Sequence, residues 1–186
     1  MKKWIRRFRK FFELIGWLLS WRTWKHYYHR FCYEQIYHIR QLNKFAYKGK
    51  GVRIDTTASI THAERIYLDD YAHISQNSYV WARGDDAVIR LGKDVMMGPG
   101  VFILNSHHDY SQTNLAPRYQ PDQSADVIIE DRVWLGAFSI ILPGVTIGHD
   151  SVIAANSVVT KSVPPFSIVA GVPGKVVRSR LEEQQT

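Results

Sequence analysis

The chain has 186 residues, 45% hydrophobic and 22% charged, enough for one domain with a real core plus an appendage, and it is not the composition of a disordered chain. A single cysteine, Cys32, excludes an internal disulfide framework and any cysteine-rich zinc cluster, and suits a reducing compartment. The net charge of +7 conceals a division: residues 1–50 hold 13 Lys and Arg against 2 acids, whereas residues 51–186 hold 11 against 15.

Residues 1–50 read as a helical, basic, amphipathic segment. Trp4, Phe8, Phe11, Phe12, Ile15, Leu18 and Leu19 recur at helical spacing, largely separated by Arg6, Arg7, Arg9 and Lys10. Glu13 and Gly16 interrupt the apolar run, which falls short of the about 20 residues needed to span a bilayer. "MKKWIRRFRK" has the charge of a secretory n-region, but no small-x-small cleavage site follows it. Of the chain's 24 aromatic residues, 14 lie in residues 1–47. The segment is therefore expected to lie on an anionic membrane surface, peripheral to the cytoplasmic face. The competing reading is a helix packed on the protein's own assembly. Nucleic acid is a poor fit, because a bulky apolar face has no use there.

Residues 51–180 carry a repeat. From residue 129 the chain divides into IEDRVW, LGAFSI, ILPGVT, IGHDSV, IAANSV and VTKSVP. Ile129, Leu135, Ile141, Ile147, Ile153 and Val159 hold the first position; Val133, Ser139, Val145, Ser151, Ser157 and Val163 hold the fifth. Upstream, the same sixes begin at Ile54, Ile60, Leu68, Ile74, Leu91, Met97 and Ile103, with insertions expected at 66–67 and around 80–90. A six-residue period means a short strand and a tight corner. Side chains alternate along a strand, so the fifth and first positions point inward and the sixth and second outward. Stacked coils then bury a continuous aliphatic core, with Gly136, Gly144, Gly148 and Pro143 expected to turn the chain. The fold class is mainly β.

The sixes, and especially "VWLGAFSIILPGVTIGHDSVIAANSVVTKSVPPFSIVAGVPGKVVR" at residues 133–178, resemble the hexapeptide-repeat acyltransferases of the maltose and galactoside O-acetyltransferase branch. The resemblance implies a left-handed parallel β-helix over residues 51–180, with residues 181–186 as a tail. It also implies a homotrimer, and the apolar outward positions Trp134, Ile140, Val152 and Val158 agree with that.

"NSHHDY" at residues 105–110 ends the hexad ILNSHH. By alternation His107 points inward or into a corner and His108 outward, toward a substrate, although register can slip where a repeat ends. In the family pattern the catalytic histidine closes such a hexad just before an inserted loop. That residue is His108, and the insertion is residues 109–126. The implied chemistry is acetyl transfer from acetyl-CoA to a hydroxyl of a saccharide or lipid-linked saccharide, with histidine as general base and no metal. The resemblance also carries over Trp134, Ala137, Ala155, Thr160 and Lys161 as donor contacts, and Lys175 and Arg178 are expected to add charge for the coenzyme A phosphates. Asp85, with Asn77 and Ser78 beside it, becomes an acceptor contact. Two rivals remain open. One is a γ-type carbonic anhydrase using zinc ligands from among His62, His73, His107, His108 and His149; the other is a non-catalytic, membrane-associated scaffold.

Overall fold

The structure, a computed structural model, describes residues 10–11, 13–17, 20–32, 41–84 and 86–181. The chain divides into two compact units, Met1–Arg40 and Gln41–Thr186. The division falls earlier than the charge boundary near residue 50, because Lys44, Lys48 and Lys50 decorate the start of the second unit.

In the first unit, residues 10–11 and 13–17 are helical, and a helix α1 runs Trp21–Cys32. Its first turn is tied back by Thr23, whose hydroxyl donates to the Trp17 carbonyl at 2.7 Å. Trp21, Trp24, Tyr27 and Tyr28 are exposed along α1. Trp4 and Phe8, with Arg6, Arg7 and Arg9, lie outside the described residues. Among the described residues no helix is long and apolar enough to cross a membrane.

The second unit is a parallel β-solenoid with three faces. Face A stacks β1 (Tyr47–Lys48), β4 (Ile66–Leu68), β7 (Ile89–Leu91), β12 (Val127–Ile129) and β15 (Thr146–Ile147). Face B stacks β2 (Arg53–Ile54), β5 (His73–Ile74), β8 (Met96–Met97), β13 (Trp134–Leu135), β16 (Val152–Ile153) and β18 (Ser167–Ala170), closed by antiparallel β19 (Lys175–Ser179). Face C stacks β3 (Ser59–Thr61), β6 (Tyr79–Trp81), β9 (Phe102–Leu104), β14 (Ile140–Ile141) and β17 (Val158–Val159). In the uninterrupted coils partners sit three hexads apart: Ile128 faces Thr146, Trp134 faces Val152, and Ile140 faces Val158.

The alternation expected from the repeat holds. Ile129, Leu135, Ile141, Ile147, Ile153 and Val159 are buried, as are Val133, Ser139, Val145, Ser151, Ser157 and Val163. Each fully buried aliphatic side chain contributes about 1.5–3 kcal/mol, and the core runs as one cluster from Ala58 to Val169. The buried serines at the fifth position differ: the Ser139 hydroxyl has no partner among the described residues, whereas that of Ser151 is satisfied. The Ser151 hydroxyl donates to the Pro164 carbonyl at 3.0 Å and accepts from the Ser167 amide.

Two expectations need correction. The residues added near 66–67 form a 3-10 turn, Ala63–Arg65, one corner earlier, while Ile66 and Leu68 stay in register as inward residues of β4. The glycines also do different work. Corner residues with positive φ are mostly not glycine: Arg132, Phe138, Asp150 and Asn156 all lie between +57° and +59°. Each is held by an amide bond to the coil below, such as Asp150 to the Asp131 carbonyl at 3.0 Å. Gly136 instead has ordinary φ and is required by proximity, since a Cβ there would lie 2.6 Å from the Ala155 amide nitrogen. Gly144, at φ +79°, is the true turning point.

Candidate active site

The C-to-A corner is where the regular coil gives way. After Leu104 the chain leaves the solenoid at Asn105, which is fully buried. Its Oδ1 accepts from the Arg83 amide at 2.7 Å and its Nδ2 donates to the Ala87 carbonyl at 3.0 Å. The Ala125 amide returns to the Asn105 carbonyl at 2.9 Å, closing the base of the insertion. The Asn105 side chain thereby holds the 82–88 loop, and its backbone carbonyl holds the returning end of the 105–126 loop.

The insertion begins and ends as a two-stranded antiparallel arm, β10 (Ser106–His108) against β11 (Asp122–Ser124). Beyond it, Asp109 accepts from the amide of Ser111 at 2.8 Å and its hydroxyl at 3.0 Å, which holds the Asp109 carboxyl below the ordinary carboxylate range. Gln120, buried, binds the Gln112 amide and the Leu115 carbonyl and folds the loop on itself.

The arm changes the expectation for the histidine pair. His107 does not point into the core: Asn105 and Ser106 are buried, and both histidines are exposed. Antiparallel pairing has replaced the coil, so the hexad register no longer applies. His108 sits opposite Asp122, with Nδ1 2.7 Å from Oδ1. His107 pairs with Gln123, and its ring lies 6.4 Å from that of Tyr110. Nδ1 is the ring nitrogen on the carboxylate side, and because a carboxylate only accepts, this neighbour favours the tautomer with the proton on Nδ1 and the lone pair on Nε2.

Both imidazoles line a cavity of about 200 Å³, with Trp81, Arg83, Phe102, Leu104, Ser106 and Asp122. Trp81 and Phe102 are outward positions of neighbouring coils on face C. Their ring centroids are 5.1 Å apart, and the Trp81 Nε1 donates to the Ser59 hydroxyl at 3.0 Å, fixing the indole. A larger hollow, about 400 Å³, lies at the A-to-B corner, lined by residues including Arg90, Glu130, Arg132 and His149. There the Arg132 guanidinium is taken by Asp150.

The other expected site residues are dispersed. Asn77 occupies an exposed corner at φ +53° and its amide donates to the Thr57 hydroxyl. Ser78 is fully buried with its hydroxyl on the Gly98 carbonyl, so it is not an acceptor contact. Asp85 lies outside the described residues. Trp134 is 48% exposed on face B beside Met96, and Ala137 and Ala155 lie at the corners that follow β13 and β16. Thr160 and Lys161 are exposed after β17, and Lys175 and Arg178 are exposed on β19. Among the described residues no group of three His, Cys, Asp or Glu side chains is placed to hold a metal ion. His62 and His149 sit at separate corners and His73 on face B. Burial and the neighbouring Arg53 push the His73 imidazole below its ordinary pKa.

The residues overlooked in the sequence are Asp122, Asn105, Trp81 and Arg83. Trp81 and Arg83 fall in the stretch around 80–90 that reads as an insertion in the sequence, and Asp122 carries no periodic signal.

The bacterial transferase hexapeptide family matches residues 126–161. A hexapeptide-repeat-containing acetyltransferase of Vibrio cholerae, solved with acetyl-coenzyme A, superposes with a TM-score of 0.68 at 30% identity, covering 78% of this chain and 77% of that one. The chain belongs to the hexapeptide-repeat transferases. Within this family it is similar to the "Putative lipopolysaccharide biosynthesis O-acetyl transferase WbbJ" of Escherichia coli, 33% identical over 70% of this chain. It is also similar to the galactoside O-acetyltransferase of E. coli, 31% identical over 72% of this chain. The match spans 66% and 64% of the lengths of those two relatives.

Proposed function

We propose that this hexapeptide-repeat transferase moves an acetyl group from acetyl-CoA to a saccharide hydroxyl, with His108 as general base. The observation that carries this is the His108–Asp122 pair, 2.7 Å apart at the mouth of a cavity walled by outward face C aromatics. Asp122 fixes the imidazole's tautomer and aim. Nε2 takes the hydroxyl proton as the oxygen attacks the acetyl carbonyl. The thioester C–S bond breaks, and the imidazolium returns the proton to the departing sulfur. This requires no covalent enzyme intermediate. Acetyl-CoA supplies an activated acyl group. The apolar outer strip of Met96, Trp134 and Phe138 on and beside face B fits a pantetheine arm, and the exposed Lys161 and Lys175 fit its phosphates. The relatives named above as O-acetyltransferases support the same reading.

The test is thiol release from acetyl-CoA with a panel of free and lipid-linked saccharides. Transfer by the native chain and its loss in His108→Ala are expected. A His108→Ala protein with full activity, while His107→Ala has none, overturns the assignment.

The same reading includes a homotrimer. Trp134 is exposed, and Ile140, Val152 and Val158 are half-buried, on the outside of a single chain. A monomer at micromolar concentration by light scattering contradicts it. Peripheral attachment to the cytoplasmic face of an anionic membrane rests on α1, where Trp21, Trp24, Tyr27 and Tyr28 are exposed beside Arg22 and Lys25. Equal sedimentation of the full chain with anionic and neutral vesicles removes this part of the reading.

A further inference from the structure

The cavity beside His108 holds a cation that acetyl transfer does not use. Arg83 lines it and is exposed. Its backbone is fixed, because its amide donates to the buried Asn105 at 2.7 Å. Among the described residues, no carboxylate forms an ion pair with its guanidinium. The acids of the insertion are engaged elsewhere: Asp122 with the His108 Nδ1, Asp109 with Ser111, and Asp126 with the Val88 amide. A guanidinium at the wall of a cavity, without an ion-pair partner among the described residues, is a fork of donors shaped for a carboxylate or phosphate.

The aromatic part of the lining has different chemistry. Trp81 and Phe102 line the cavity with ring centroids 5.1 Å apart, Tyr79 packs against both from outside the lining at 5.6 and 5.2 Å, and the Ser59 hydroxyl pins the indole of Trp81. The faces of such rings are electron-rich and suit the polarised C–H bonds on the apolar side of a pyranose. The free volume, about 200 Å³, suits one sugar ring.

We propose that the acceptor is an anionic saccharide. Its ring lies on Trp81 and Phe102, its carboxylate or phosphate pairs with Arg83, and one of its hydroxyls meets the His108 Nε2. This rests on the acetyl-transfer reading for the hydroxyl's fate, but the anion subsite stands on its own geometry. Arg83 sets specificity and takes no part in proton transfer.

The experiment compares a methyl hexoside, the corresponding methyl hexuronide and the hexose phosphate, each as an acetyl acceptor and as a ligand by calorimetry. In the native protein at least one anionic acceptor is expected to exceed the neutral one about tenfold in kcat/KM, mostly through KM, and the ratio is expected to shrink with added salt. In Arg83→Gln the ratio falls to about 1, and Arg83→Lys restores part of it. The two anions separate carboxylate from phosphate as the preferred group. Equal kcat/KM for neutral and anionic acceptors overturns the proposal while acetyl transfer stands. No transfer to any acceptor, with hexuronide or hexose phosphate binding that Arg83→Gln abolishes, keeps the anion subsite and sinks the acetyl-transfer reading. Should Arg83→Gln fail to fold, the native preference and its salt dependence decide alone.

Discussion

Asp122 stands directly across the two-stranded arm from His108, its carboxylate 2.7 Å from Nδ1. Both side chains sit on an insertion rather than on the solenoid, and antiparallel pairing sets them opposite one another. The solenoid's part is to anchor the arm through Asn105 and to supply the aromatic wall.

The pairing makes the two residues separable by mutation. His108→Ala removes the base and is expected to lower kcat by about 10²–10⁴-fold. Asp122→Asn keeps the shape, but its amide can donate to Nδ1 and so favour the tautomer with Nε2 protonated. A loss of at least about tenfold in kcat is expected, with little change in KM for acetyl-CoA. His107→Ala is expected to retain most of the activity. Steady-state kinetics on the three folded variants checks this, and an Asp122→Asn enzyme with native kcat removes Asp122 from the mechanism.

Asn105→Ala tests whether the corner holds the arm. It leaves the Ala87 carbonyl without its donor, at a cost of about 1–3 kcal/mol. It also frees the Arg83 amide and the turn that precedes His108. A lower denaturation midpoint together with weaker catalysis is expected. A stable variant with full activity shows that the arm is positioned by other contacts.

Two glycines separate proximity from conformation. In Gly136→Ala the new methyl meets the Ala155 amide nitrogen at 2.6 Å, and overpacking of that kind costs about 1–3 kcal/mol. At Gly144 the nearest atom is 3.6 Å away, and only the φ of +79° resists a side chain. Thermal unfolding should therefore show the larger loss for Gly136→Ala. The reverse order contradicts the close approach of these coils.

The solenoid was legible because its signal repeats: an aliphatic residue every six positions survives noise, and alternation assigned the inward and outward faces. The same rule failed at His107. Asn105 takes the last inward place, and the chain then pairs with a strand that has no periodicity of its own. Asp122 was unreadable for that reason, since its role depends on which residue it faces across the arm and nothing local encodes that. Ser78 shows the opposite failure. A resemblance suggested an acceptor contact, yet its fifth-type position put it in the core. Gly136 and Gly148 read as turns in the sequence, because close approach between coils is a property of stacking and leaves no mark within a single hexad.

The A-to-B corner offers a pH test independent of catalysis. The Arg132 Nε and Nη2 donate to the two Asp150 oxygens at 2.7 and 2.6 Å, and the His149 Nδ1 lies 2.8 Å from Oδ2. The Arg132 hydrogen bonds, with a smaller part from His149, hold the Asp150 carboxyl far below its ordinary range. A carboxyl depressed in the folded state adds stability that is complete above its unfolded pKa, about 3.9, and is lost as pH falls through the lower folded value. Asp150→Asn tolerates the same positive φ, so the comparison isolates the charge. The native chain should be more stable than Asp150→Asn between pH 7 and about pH 5, with the margin narrowing below about pH 4. Because the Arg132 side chain is 56% exposed, the margin should also contract in high salt. Urea midpoints across that range measure it. A margin that persists unchanged to pH 2 shows that the carboxylate's charge contributes nothing, and that packing of the corner accounts for the difference.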